Sequence, residues 1–114
     1  MVHQQTNRRV EVMAATPESK VKAKIKTILE ANGVYYAMPI GTGYGRSGVP
    51  DFLCCVEGKF LAVEAKATEK DTPTALQVRE MKRIEGAGGY AVVINAENVD
   101  KLVEVIDALR GVFR

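Results

Sequence analysis

Gly48-Val49-Pro50-Asp51-Phe52-Leu53-Cys54-Cys55-Val56-Glu57-Gly58-Lys59-Phe60-Leu61-Ala62-Val63-Glu64-Ala65-Lys66 contains two apolar runs separated by a glutamate and a glycine. Residues 52–56 and 60–63 are aliphatic, aromatic and cysteine side chains, the composition of strands. Glu57-Gly58 reads as a two-residue turn with glycine where φ must be positive. The stretch is therefore a β-hairpin. If Val56 pairs with Lys59, counting outward sets Phe52 opposite Val63 and Asp51 opposite Glu64, their Cβ atoms about 5 Å apart on one face. Lys66 shares the Glu64 face and Ala65 points the other way. A three-residue loop would instead set Asp51 opposite Ala65.

Two carboxylates and an amine thus meet at the open end of the hairpin. Opposed like charges destabilise a sheet unless a cation neutralises them, and hard oxygen donors suit Mg²⁺ or Mn²⁺. The ordinary alternative is a surface ion pair of small energetic value at fraying strand ends. Against it stands the nearly continuous apolar character of both strands, which implies a sheet covered on both faces. Charges at the edge of such a sheet need a reason.

Outward from the hairpin, Thr16-Pro17-Glu18 announces a helix: a capping hydroxyl, a proline in the first turn and an acid near the positive end of the dipole. It runs to about Ala31, closed by Gly33, with Val21, Ile25, Ile28 and Leu29 as its apolar stripe. Residues 34–38 form a first strand, followed by a glycine-rich loop over residues 41–48. Beyond the hairpin, Thr72-Pro73 announces a second helix ending at Gly86. Residues 89–94 form a buried strand, and an amphipathic helix starts at Asn95 or Ala96 and continues to the C-terminus. The order is α-β-β-β-α-β-α, an α/β fold whose β-α-β crossover is parallel and right-handed, giving a mixed sheet flanked by helices. Residues 1–15 carry no helical period and read as a flexible arm, with a short strand around residues 10–13.

With 114 residues, of which 46% are hydrophobic, the chain has room for one domain with one core. A formal charge of +2 permits nucleic-acid binding without demanding it, although lysines and arginines crowd the first quarter and acids the last. Cys54 and Cys55 are adjacent in a strand and face opposite ways, so they read as reduced core residues, and the single histidine, His3, leaves a zinc site without partners. No apolar run has the length of a signal peptide or a membrane span, so the expectation is a soluble cytoplasmic protein with no membrane partner. The glycine-rich loop lacks a Gly-Lys-Ser/Thr ending and leads into a strand, which argues against nucleotide triphosphate binding.

Two polar residues begin apolar stripes. Glu18 stands before Val21, Ile25 and Leu29; Gln77 begins the series Gln77, Met81, Ile84. Each is either a helix-end residue satisfying local backbone groups or a participant in the site between Asp51 and Glu64.

The ordered series Glu18, Ser47-Gly48-Val49-Pro50-Asp51, Glu64-Ala65-Lys66 and Pro73-Thr74-Ala75-Leu76-Gln77 resembles the VRR-NUC domain, the virus-type replication and repair branch of the PD-(D/E)XK nucleases. The match spans about residues 16–94, within a single domain over residues 16–114. Short forms of this kind are typical of phage-encoded members. The resemblance implies a Mg²⁺-dependent, structure-selective DNA endonuclease acting on Holliday junctions or flaps, commonly as a homodimer. By position, Asp51 and Glu64 would ligate the metal with the Ala65 carbonyl, and Glu18 would assist directly or through water. Lys66 would orient or deprotonate the attacking water, and Gln77 would position Lys66 or the water. Tyr44, Arg46 and Ser47 in the glycine-rich loop, with Lys22 and Lys26 on the first helix, are the candidate DNA contacts. An exonuclease or nickase of the same chemistry, and a DNA-binding module without turnover, are the competing readings.

Overall fold

The computed structural model describes residues 16–41 and 45–111. The arm expected over residues 1–15, its short strand and Tyr44 lie outside the described residues. Thr16 caps helix α1 (Pro17–Ala31), its hydroxyl accepting from the Ser19 N–H at 3.1 Å, and Gly33 follows the helix with φ +66°. Then come β1 (Tyr35–Ala37), β2 (Phe52–Val56), β3 (Lys59–Ala65), α2 (Ala75–Gly86), β4 (Tyr90–Ile94) and α3 (Lys101–Leu109), in the expected order.

The sheet order is β1-β2-β3-β4, antiparallel through β3 and parallel between β3 and β4. Val56 pairs with Lys59 and Phe52 with Val63, the register counted from a two-residue turn, so the three-residue loop is excluded. Glu57 has φ +48° and Gly58 φ +82°. Both turn positions are therefore left-handed, which matches the twist of the flanking strands but suits asparagine better than glutamate. Glu57→Asn is expected to stabilise the fold by roughly 0.5–1 kcal/mol, read as a higher urea midpoint at unchanged slope.

Phe52, Cys54, Val56, Leu61, Val63 and Ile94 share one face and close against Val21, Ile25 and Leu29 of α1 and Leu102, Ile106 and Leu109 of α3. Tyr36 tilts against Phe52 there, ring centroids 5.8 Å apart. Cys54 is buried and Cys55 exposed, both free, and burial pushes the Cys54 thiol up to about 12. Helix α2 lies on the other face.

Three expectations are corrected. The second helix begins at Ala75, not at Thr72-Pro73, because Thr74 and Gln77 form a reciprocal capping box that sets the first turn. The last helix begins at Lys101, not at Asn95 or Ala96. Asn95 Oδ1 accepts from the Glu97 and Asn98 N–H groups at 2.9 and 3.0 Å, and Asn98 Oδ1 accepts from the Asn95 N–H at 2.7 Å. These side chains hold the turn against helix. Finally, the second face of the sheet is only partly covered: α2 leaves Cys55, Phe60 and Tyr35 exposed.

Candidate active site

Asp51 precedes β2, and Gly48 and Pro50 set its approach. Gly48, at φ +81°, lies so close to the start of α2 that a Cβ there would sit 2.6 Å from the Leu76 carbonyl carbon and oxygen. Glycine is what lets the loop pass under that helix end. Asp51 then leaves the hairpin ladder and turns its carboxylate back. Asp51 Oδ2 accepts from the Ala65 N–H at 2.9 Å, and Oδ1 lies 3.4 Å from Lys22 Nζ. Opposition across the strands has become a hydrogen bond to the neighbouring peptide.

Glu64 ends the apolar run of β3 on the face that α2 covers and is 2% exposed. Its Oε2 accepts from Gln77 Nε2 at 3.0 Å and lies 3.8 Å from Lys66 Nζ. Its Oε1 is buried and has no hydrogen-bond partner while the carboxylate is charged; protonated, it has Asp51 as an acceptor. Burial, reinforced by the neighbouring Asp51 charge, pushes Glu64 up to about 8, against the pull of Lys66. Gln77 fills both roles open to it: Oε1 accepts from the Thr74 N–H at 2.8 Å as part of the capping box, while Nε2 holds Glu64. The helix start and the carboxylate are thus fixed by one amide.

The inward placement of Glu18 does not hold. Its side chain is about half exposed, because Lys22 at i+4 draws it to the helix edge at 3.6 Å. Lys22, expected to face DNA, instead bridges Glu18 and Asp51 and places an ammonium between the two acids. Lys26 stands exposed two turns beyond Glu18, and Ser47 is exposed in its turn. Arg46 is drawn away from the carboxylates to Glu80 of α2, at 2.7 and 3.2 Å. The structure therefore brings together Glu18, Lys22, Asp51, Glu64, Ala65, Lys66 and Gln77, and leaves Lys26 and Ser47 outside.

Among the described residues no group of three or more His, Cys, Asp or Glu side chains is placed to hold a metal ion. The donor set is the Asp51–Glu64 pair with main chain beside it. Its chemistry nevertheless fits a divalent cation: two hard carboxylates, one with a buried, unpartnered oxygen, held close enough that the Asp51 charge disfavours that of Glu64. Lys22 supplies that charge only to the Asp51 side. Lys22→Ala is expected to tighten Mn²⁺ binding about fivefold, since a positive charge 3.4 Å from the Asp51 carboxylate is removed. Calorimetric titration in the absence of DNA checks this, and weaker binding contradicts it.

Sequence reasoning missed Glu80, Arg79 and Arg83. A glutamate within a predicted amphipathic helix carries no local sign that a loop arginine 34 positions away reaches it.

No family model and no curated protein matches the sequence. Among solved structures, a chain titled "VRR_NUC domain" matches with 36% identity and a TM-score of 0.68, over 79% of this chain and 97% of that one. The architecture and the match over nearly all of that domain agree with the motif series, and no helix among the described residues is long and apolar enough to cross a membrane. The chain belongs to the VRR-NUC family of PD-(D/E)XK nucleases.

Proposed function

We propose that the protein is a metal-dependent, structure-selective DNA endonuclease that hydrolyses phosphodiester bonds in branched DNA. The observation that carries this reading is Glu64, a buried carboxylate with one orphan oxygen, packed beside Asp51 and within 3.8 Å of the Lys66 ammonium. Asp51 and Glu64 would hold Mg²⁺ together with the Ala65 carbonyl, with Glu18 assisting directly or through water, and Mn²⁺ would substitute. Bound there, the metal would supply positive charge against the phosphate and make water a better nucleophile near neutral pH.

The chain's own residues do the remaining work. Lys66, only 13% exposed, holds an ammonium whose charge opposes that developing on the phosphoryl oxygens, and it orients the attacking water. Gln77 fixes the Glu64 carboxylate through Nε2 and is itself fixed by the Thr74 N–H. Asp51 is kept in place by the Ala65 N–H, leaving Oδ1 turned toward α1. Histidine chemistry is not called on.

Substrate size favours a homodimer, since one small domain engages only part of a four-way junction and symmetric cutting needs two sites. Among the described residues strand β1 stands at the edge of the sheet, with Tyr35 70% and Ile40 84% exposed there.

The test is cleavage of a labelled four-way junction, a flap and a plain duplex in Mg²⁺, Mn²⁺ or EDTA. Branched substrates cut at least tenfold faster than duplex, and no cutting in EDTA, are expected. Equal rates on all three would keep the chemistry and remove the selectivity. Binding without cutting in either metal would leave a DNA-binding module.

A further inference from the structure

Glu80 is the one buried residue of α2, its side chain only 7% exposed, and three guanidiniums surround it. Arg46 grips it with two bonds at 2.7 and 3.2 Å; Arg83 lies at 3.5 Å and Arg79 at 3.9 Å. One bidentate arginine is enough to neutralise one carboxylate. The other two leave surplus positive charge on a surface where all three arginines are about half exposed. A cluster serving only to hold the loop on the helix has no use for that surplus.

Below these arginines lies an open apolar groove of about 550 Å³, floored by Val49, Pro50, Leu53, Phe60 and Ile84, with Arg46 and Arg83 on its rim. This is the part of the sheet that α2 leaves uncovered. The Phe60 ring is 45% exposed and rests over Gly89, where an added Cβ would lie 3.3 Å from it. An aromatic platform with guanidiniums at its edge is complementary to one chemical unit, a flat apolar ring attached to an anion. The groove also abuts the candidate active site on two elements. Val49 and Pro50 immediately precede Asp51, and Glu80 follows Gln77 by three residues on α2.

We propose that this groove is a second nucleic-acid subsite, which takes an unpaired nucleotide of the DNA whose phosphate lies at Asp51 and Glu64. The base stacks on Phe60 and the adjoining phosphates lie against Arg46 and Arg83. Glu80 is the positioning residue that holds the arginines in place. In a duplex the faces of the bases are hidden in the stack, so only a branch point or flap offers the ring this groove accepts. The subsite therefore gives the nuclease reading, on which it rests, a physical basis for structure selectivity.

The chain contains no tryptophan, so Phe60→Trp places a single indole in the groove. The experiment titrates this variant with oligothymidylate and with a blunt duplex of equal strand length, in EDTA so that nothing is cut. Single strand is expected to quench the indole and duplex to leave it unchanged. Arg83→Ala in the same background is expected to raise the midpoint about tenfold. Single-strand binding seen by anisotropy without quenching, or equal quenching by duplex, overturns the proposal. So does emission that changes with protein concentration in the absence of DNA, which assigns the groove to a second copy of the chain. If Phe60→Trp does not fold, anisotropy of labelled oligothymidylate with Arg83→Ala in the otherwise unaltered protein decides: a tenfold loss supports the subsite and an unchanged affinity overturns it. A protein that cuts DNA in Mn²⁺ yet shows no quenching loses the subsite and keeps the nuclease. One that is quenched yet never cuts loses the nuclease and keeps the subsite.

Discussion

Glu64→Gln is expected to stabilise the metal-free protein at pH 8 while lowering DNA cleavage by at least about a thousandfold. The stability part follows from linkage. Burial, then the Asp51 charge, raises Glu64 from an ordinary 4.5 to about 8 in the folded protein. Between those two values the folded state holds a proton that the unfolded state has released, so metal-free stability falls as pH rises through the window. The loss is on the order of 5 kcal/mol once pH passes the folded value. Glutamine has no proton to lose. It keeps an oxygen for Gln77 Nε2 and can offer an amide N–H toward Asp51, so its stability should be flat across the same range. Thermal unfolding of both proteins from pH 5 to pH 9 in EDTA reads the difference; a parallel pH dependence in the two would show that Glu64 is not its source. Added Mn²⁺ should restore the wild-type protein at high pH and leave Glu64→Gln unmoved.

Gly48→Ala is expected to be the most damaging single-methyl change in the loop. A Cβ there meets main-chain atoms, the Leu76 carbonyl carbon and oxygen at 2.6 Å and the Gln77 nitrogen at 2.9 Å, and backbone cannot swing aside as a side chain can. The φ of +81° adds its own penalty for any residue with a Cβ. Together these cost about 3 kcal/mol or more. The displaced atoms belong to the turn that presents Gln77 to Glu64, and Gly48 lies three residues before Asp51. Activity at a temperature where the variant is still folded should therefore drop by more than the folded fraction does. Urea unfolding alongside single-turnover cleavage measures both, and a variant as stable as wild type would contradict the close approach.

The hairpin was legible because its signals are local. Two apolar runs around Glu57-Gly58 allow only a few registers, and the two-residue turn selects the one found. From that register the nearness of Asp51 to Glu64 follows by counting, although Asp51 itself leaves the ladder and bonds to the Ala65 N–H. Gln77 was legible as a residue with two possible roles, and it fills both, because an amide carries an acceptor and a donor on opposite sides. The start of α3 was not legible from hydrophobic period, since the Asn95 and Asn98 side chains compete for the same backbone groups a helix would use. The Lys22 bridge and the arginines around Glu80 were not legible either. Both depend on how α1 and α2 cross the sheet end, and an ion pair 34 positions apart leaves no pattern in a single sequence. The open half of the second sheet face escaped for a related reason: Phe60 reads as core by residue type, and only the length and placement of α2 leave it exposed.

The proposed function rests on Asp51 and Glu64 forming a divalent metal site that cleaves DNA. The most direct measurement is the Mn²⁺ dependence of cleavage of a labelled flap by wild type beside Asp51→Asn, with EDTA as the zero point. Saturable, EDTA-sensitive cutting by wild type is expected, with none by the variant at any Mn²⁺ concentration and the variant as well folded by circular dichroism. Cutting by Asp51→Asn at the wild-type rate, or wild-type cutting undiminished in EDTA, would overturn that site.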